Sequence, residues 1–148
     1  MYTRIVIATD GSELARKGLD HGLALAKRLD AEVTIVVVTE PTLPIATATN
    51  IGWTPTIDPS AFDEAKTASA RHVLDEAAQV AQGSGVRFDT VHVADRFPAE
   101  GIVETANERG ADLIVIASHG RRGVRSLLLG SQTMEVLAHS HIPVLVVR

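Results

Sequence analysis

Between Ala117 and Ser131 the chain reads ASHGRRGVRSLLLGS, with three glycines, three arginines and three leucines in fifteen residues. Glycine lets backbone approach a ligand closely and adopts positive φ readily, so successive N–H groups near Gly120 and Gly123 can converge on an anion. Gly130 and Ser131 stand at the start of a helical pattern, where free N–H groups and the helix dipole favour a phosphate and the Ser131 hydroxyl can cap or donate. Residues 120 to 131 are thus bracketed by two phosphate-facing elements. The simpler alternative makes Gly120 and Gly123 a turn, Gly130 a bend and Ser131 an ordinary N-cap. Leu127, Leu128 and Leu129 read as core or interface packing, and Arg121, Arg122 and Arg125 as solubilising loop charges that can also offset phosphate.

Other chemistries find less support. The chain has no cysteine, which excludes disulfides, thiolate catalysis and cysteine-held metals. Neither G-x-x-x-x-G-K-[ST] nor G-x-G-x-x-G occurs, so a Walker-type NTPase and a typical dinucleotide fold are disfavoured. Of the six histidines only His139 and His141 are close in sequence, and a pair two apart at a helix end faces in different directions. His119 alone lies near the glycine stretch, as a phosphate contact, a base or a solvated loop residue. No residue is assigned a catalytic or metal-ligating role.

The elements that must carry this stretch follow from hydrophobic patterning. RIVIAT (4–9), EVTIVVV (32–38), DLIVIA (112–117) and PVLVV (143–147) are β-branched and nearly continuous, as strands covered on both faces are. VRFDTVHV (86–93) alternates more and reads as a strand nearer the edge. Ala15, Leu19, Leu23 and Ala26 recur at helical spacing, with Gly22 on the same stripe where a missing side chain brings helix and sheet together. Further helices are predicted from about Ser60 to Gln82, from Pro98 to Arg109 with Gly110 as the stop, and from Ser131 to His139. Alternating strands and helices require right-handed crossovers between parallel neighbours. The predicted fold is a single α/β domain over 1–148, an open doubly wound, Rossmann-like sheet of five parallel strands with four helices, in the order 3-2-1-4-5. The connection 39–59 holds four of the six prolines and Trp53, the only tryptophan; it reads as a surface insertion and candidate flexible loop, with a lid as the competing reading.

At 148 residues, 45% hydrophobic, 22% charged and only 3% aromatic, the chain must build its core from Val, Ile, Leu and Ala. A net charge of -4 gives no global attraction to nucleic acid or an anionic membrane, and no apolar run approaches the ~18 residues that span a bilayer. A cytoplasmic protein without nucleic-acid or membrane partners is expected. In the order 3-2-1-4-5 a ligand binds where the strand order reverses, beside the loops ATDGSE (8–13) and ASHGRRG (117–123).

Three segments, ATDGSELARKGLDHGLALAKRLDAEVTIVVV, ERGADLIVIASHGRRG and LLLGSQTMEVLAHSHIPVLVVR, resemble the universal stress protein family over nearly the whole chain outside 39–59. The ATP-binding branch of that family carries Gly, two residues, Gly, nine residues, then Gly with Ser or Thr. Here the pattern falls on Ala117, Gly120, Gly130 and Ser131, with alanine at the first glycine. The resemblance implies that Ala8, Thr9 and Asp10 line the adenosine end, with Asp10 accepting hydrogen bonds from the ribose hydroxyls. Capping of the first helix is the other reading of Asp10. It implies further that the backbone of Val38 recognises adenine, that Ile116 packs against the base, and that N–H groups at 120, 130 and 131 take the phosphates, with Mg²⁺ or Mn²⁺ carried mainly by phosphate oxygens. The implied function is an ATP-binding, nucleotide-responsive stress regulator that is homodimeric through the C-terminal strand, 142–148. The competing readings are a nonbinding interaction protein of the same family and a slow ATPase.

Overall fold

The computed structural model describes residues 1–42, 59–120 and 129–148. The elements are β1 (Arg4–Ala8), α1 (Glu13–Leu29), β2 (Glu32–Val38), α2 (Pro59–Ser84), β3 (Phe88–Val93), α3 (Pro98–Glu108), β4 (Leu113–Ala117), α4 (Ser131–His139) and β5 (Val144–Val147). All strand pairs are parallel and the sheet order is β3-β2-β1-β4-β5, which makes this a Rossmann-like α/β fold with the predicted topology. Boundaries differ from the sequence reading by a residue or two. The strand predicted from 86 begins at Phe88, after a turn at Gly85 with φ of 73°. Most of the 39–59 connection, Trp53 included, lies outside the described residues.

Strand alternation divides the core in two. Ile5, Ile7, Val33, Ile35 and Val115 meet α1 and α2, while Val6, Val36, Ile114 and Ile116 meet α3 and Val136 of α4. Both faces are covered, so the central strands lose the polar alternation of a half-exposed sheet. β3 and β5 form the edges, and β3 keeps the mixed burial expected of an edge strand. At the amino end of the sheet, the Asp112 carboxylate accepts from Thr3 N (2.8 Å), Thr3 Oγ1 (2.9 Å) and Arg4 N (3.1 Å), tying β4 to β1. Burial works against its charge, but those hydrogen bonds prevail and hold the carboxyl below the usual carboxylate range.

The two glycines on the buried face of α1 have different reasons to be there. A Cβ on Gly22 would sit 2.4 Å from Ile7 Cδ1 and 2.9 Å from Cγ1, whereas one on Gly18 would meet nothing nearer than Ala117 N at 3.6 Å. Gly22→Ala is therefore expected to destabilise the fold by about 1–2 kcal/mol through overpacking. Gly18→Ala is expected to raise stability by about 0.5–1 kcal/mol through helix propensity. Urea denaturation of both variants separates the effects, and equal shifts of the same sign would contradict the packing account.

Candidate functional site

The strand order reverses between β1 and β4, and the loops leaving these strands meet at the carboxyl end of the sheet, where Gly120 approaches Asp10 and a candidate cleft opens. After β1 the buried Thr9 donates its N–H to Val36 O at 3.0 Å. Gly11 then takes φ of 78°, a left-handed turn that suits glycine. Asp10 Oδ1 accepts from Ser12 N at 2.9 Å in an Asx turn. The N-cap of α1 is Ser12, whose hydroxyl accepts from Ala15 N at 3.2 Å. This corrects the capping reading of Asp10, whose carboxylate serves the loop.

The other oxygen of Asp10 lies against the second loop. A Cβ on Gly120 would stand 2.7 Å from Asp10 Oδ2. Gly130 donates its N–H to Ser118 O at 2.8 Å, and a Cβ there would lie 3.2 Å from the same oxygen. Neither glycine has positive φ, that of Gly130 being -61°, so close approach and not backbone freedom is what these positions require. Ala117, at the place of the first signature glycine, also lacks positive φ and carries no backbone strain. It is buried beside Gly18 of α1.

α4 opens directly onto this cleft. Its N-cap is Gly130 and Ser131 is its first helical residue, exposed and without a capping hydrogen bond, which corrects the reading of Ser131 as the cap. Among the described residues, Met134 N is the first helical donor of α4 to reach an acceptor, Gly130 O at 3.0 Å. The N–H groups of Ser131, Gln132 and Thr133 precede it and have no partner within the helix. Thr133, which sequence reasoning missed, is buried and donates Oγ1 to Ala117 O at 2.9 Å, pinning the helix start to the end of β4. Its signal was a threonine one turn before Val136 on the inward face.

His119 lies at the same end of the candidate cleft as the start of α4. Ser118 Oγ and His119 Nδ1 are 2.9 Å apart, and Ser118 is buried with no other partner for its hydroxyl among the described residues. The hydroxyl either donates to Nδ1, with the ring proton on Nε2, or accepts from it, with the proton on Nδ1. Nε2 is buried and lacks a partner among the described residues. Arg121, Arg122, Gly123, Arg125, Leu127 and Leu128 lie outside the described residues, and Leu129 is half-buried.

Val38, at the end of β2, forms the opposite end of the cleft. Thr9 N meets Val36 O, and Thr39 N meets Val93 O at 2.9 Å. Alternation along the parallel ladder therefore turns the N–H and C=O of Val38 towards β1, whose pairing has ended at Ala8 and Thr9. A donor and an acceptor are left side by side. Gly101 of α3 permits close packing here, since a Cβ on it would lie 2.9 and 3.0 Å from the two methyls of Val38. Thr39 Oγ1 is held by His92 Nε2 at 2.9 Å. Burial and, secondarily, the charge of Arg71 lower the His92 pKa against the opposing pull of Asp95, which keeps the ring neutral at neutral pH. Ala8 and Ile116 are buried in the core cluster beneath the cleft.

The sheet order and helix cover place this chain among the Rossmann-like α/β domains. The profile of the universal stress protein family matches residues 1–148. Universal stress protein YxiE of Bacillus subtilis is 34% identical over 151 residues, covering 100% of both chains. A solved protein of the family from Burkholderia pseudomallei is 31% identical, covers 99% of this chain and 96% of its own, and superimposes with a TM-score of 0.77. A universal stress protein solved in complex with cAMP is 25% identical over 99% of this chain and 97% of its own, with a TM-score of 0.73. The chain belongs to the universal stress protein family.

Proposed function

We propose that this universal stress protein binds ATP in the cleft and acts through nucleotide occupancy as a stress regulator. The observation that carries the reading is the close approach of Gly120 to Asp10 and of Gly130 to Ser118 beside the start of α4 and the buried His119 Nε2, which has no partner among the described residues. A buried polar nitrogen without a partner is unfavourable, by about 1–3 kcal/mol, and a polar ligand group that meets it removes that penalty. Phosphates take the N–H groups at Gly120 and Ser131 beside Ala117, whereas the expected N–H at Gly130 is already given to Ser118 O and that glycine serves close approach alone. The Asp10 carboxylate accepts from the ribose hydroxyls next to Ala8 and Thr9, and the Val38 backbone pair reads adenine above Ile116. The relative solved with cAMP supports an adenine nucleotide as the ligand class. Mg²⁺ or Mn²⁺ arrives on the phosphate oxygens, which suits a cation that keeps most of its waters.

Calorimetry tests the reading. ATP is expected to bind at least ~10-fold more tightly than GTP, because a mismatched base leaves the Val38 donor or acceptor unpaired. Equal affinity for both, or none for either, would remove it.

We also propose that two copies pair through β5. This edge strand is short and apolar, and Leu145 on it and Met134 and Leu137 on α4 are exposed. Val146→Pro removes a strand donor and is expected to give monomer by light scattering. An intact dimer would move the interface elsewhere.

A further inference from the structure

Gln132 occupies an unusual place between the two ends of the cleft. α3 begins poorly capped: its N-cap, Phe97, offers no side-chain acceptor, and Pro98 has no N–H. The first free donor of α3 is therefore Ala99 N, and it is met from another helix, by Gln132 Oε1 at 3.1 Å. An N–H partner fixes the amide orientation, since only the oxygen accepts. Gln132 is the second residue of α4, in the turn whose N–H groups face the cleft, and Ala99 lies two residues before Gly101, which packs on Val38.

Resting on the nucleotide reading, we infer that Gln132 is a positioning residue which holds the phosphate-binding turn of α4 in register with the base-reading end of the cleft through α3. α4 has only nine residues, two of them buried, so its first turn depends on its tethers. Thr133 ties that turn to β4, which fixes it along the sheet. Gln132 ties it to α3, which fixes its distance from Val38. With the second tether gone, base and ribose still find their partners, but the phosphates meet a helix start no longer held at their distance. A capping bond that served stability alone would change melting without changing the preference for phosphates.

The test is calorimetry of the full chain with adenosine and with ATP, for the wild type and for Gln132→Met, which keeps length but removes the acceptor. Gln132→Ala gives the same comparison if the methionine variant does not fold. The ATP-to-adenosine affinity ratio is expected to fall ~10-fold in the variant while adenosine affinity stays within ~2-fold, the scale of one lost hydrogen-bonded tether. Faster hydrogen exchange at the Ala99 amide would accompany it. An unchanged ratio in a folded variant, with or without a lower melting temperature, overturns the role of Gln132 alone. A wild type that binds neither ligand overturns the nucleotide reading beneath it.

Discussion

Gly130→Asp is expected to leave the fold intact and to abolish detectable ATP binding. Gly130 is the N-cap of α4, with φ of -61° and ψ of 149°, a conformation that aspartate adopts without strain. Aspartate is among the best N-cap residues, and the added Cβ needs only a few tenths of an ångström from Ser118 O, 3.2 Å away. Melting should therefore move by no more than a few degrees. Binding is expected to respond quite differently, because a carboxylate is placed where the proposed binding mode puts the polyphosphate and takes up the helix N–H groups itself. Like charges about 4 Å apart in a partly buried site repel by several kcal/mol, so a loss of at least ~100-fold in ATP affinity is expected. Adenosine, which carries no phosphate, should bind as before. Calorimetry with both ligands, beside a thermal melt, checks all three statements. Undiminished ATP binding in the folded variant would place the phosphates elsewhere.

Gly120→Ala should weaken ATP and adenosine together, a pattern that Gly130→Asp cannot give. The new methyl would lie 2.7 Å from Asp10 Oδ2, while Oδ1 is held by Ser12 N. The carboxylate must rotate away from the position in which the proposed binding mode has it accept from ribose. Hydrogen bonds to a charged group are worth about 1.5–3 kcal/mol, so a fall of ~10-fold or more is expected for both ligands. Because Gly120 has no positive φ, alanine adds no backbone strain and the melting temperature should change little. Equal affinities of variant and wild type would show that Asp10 does not meet the ribose.

Much of the fold was legible along the chain. Continuous β-branched runs marked the central strands, the looser alternation of 86–93 marked an edge, and Gly22 on an apolar stripe marked close packing. These signals are local: side-chain periods of 2 and 3.6 and the needs of turns are written within a few residues of one another. Two alternative readings along the same loops failed. Asp10 of DGS was the candidate cap of the first helix, and the backbone gave the role to Ser12. At the start of α4 the cap is Gly130 and not Ser131, because a helix begins where the backbone turns helical and not where a hydroxyl is available.

What the sequence by itself determined is the order and type of the elements, their parallel arrangement, and the spacing of Ala117, Gly120, Gly130 and Ser131 at the strand-order switch. Only the tertiary structure decided what those positions touch: Gly120 against Asp10, Gly130 against Ser118, Thr133 on Ala117, and Gln132 on the first free donor of α3. Periodicity fixes which face of an element is buried. It carries no information about which atom of a distant loop arrives within a few ångströms, because that distance is set by how two helices and two strands pack at once.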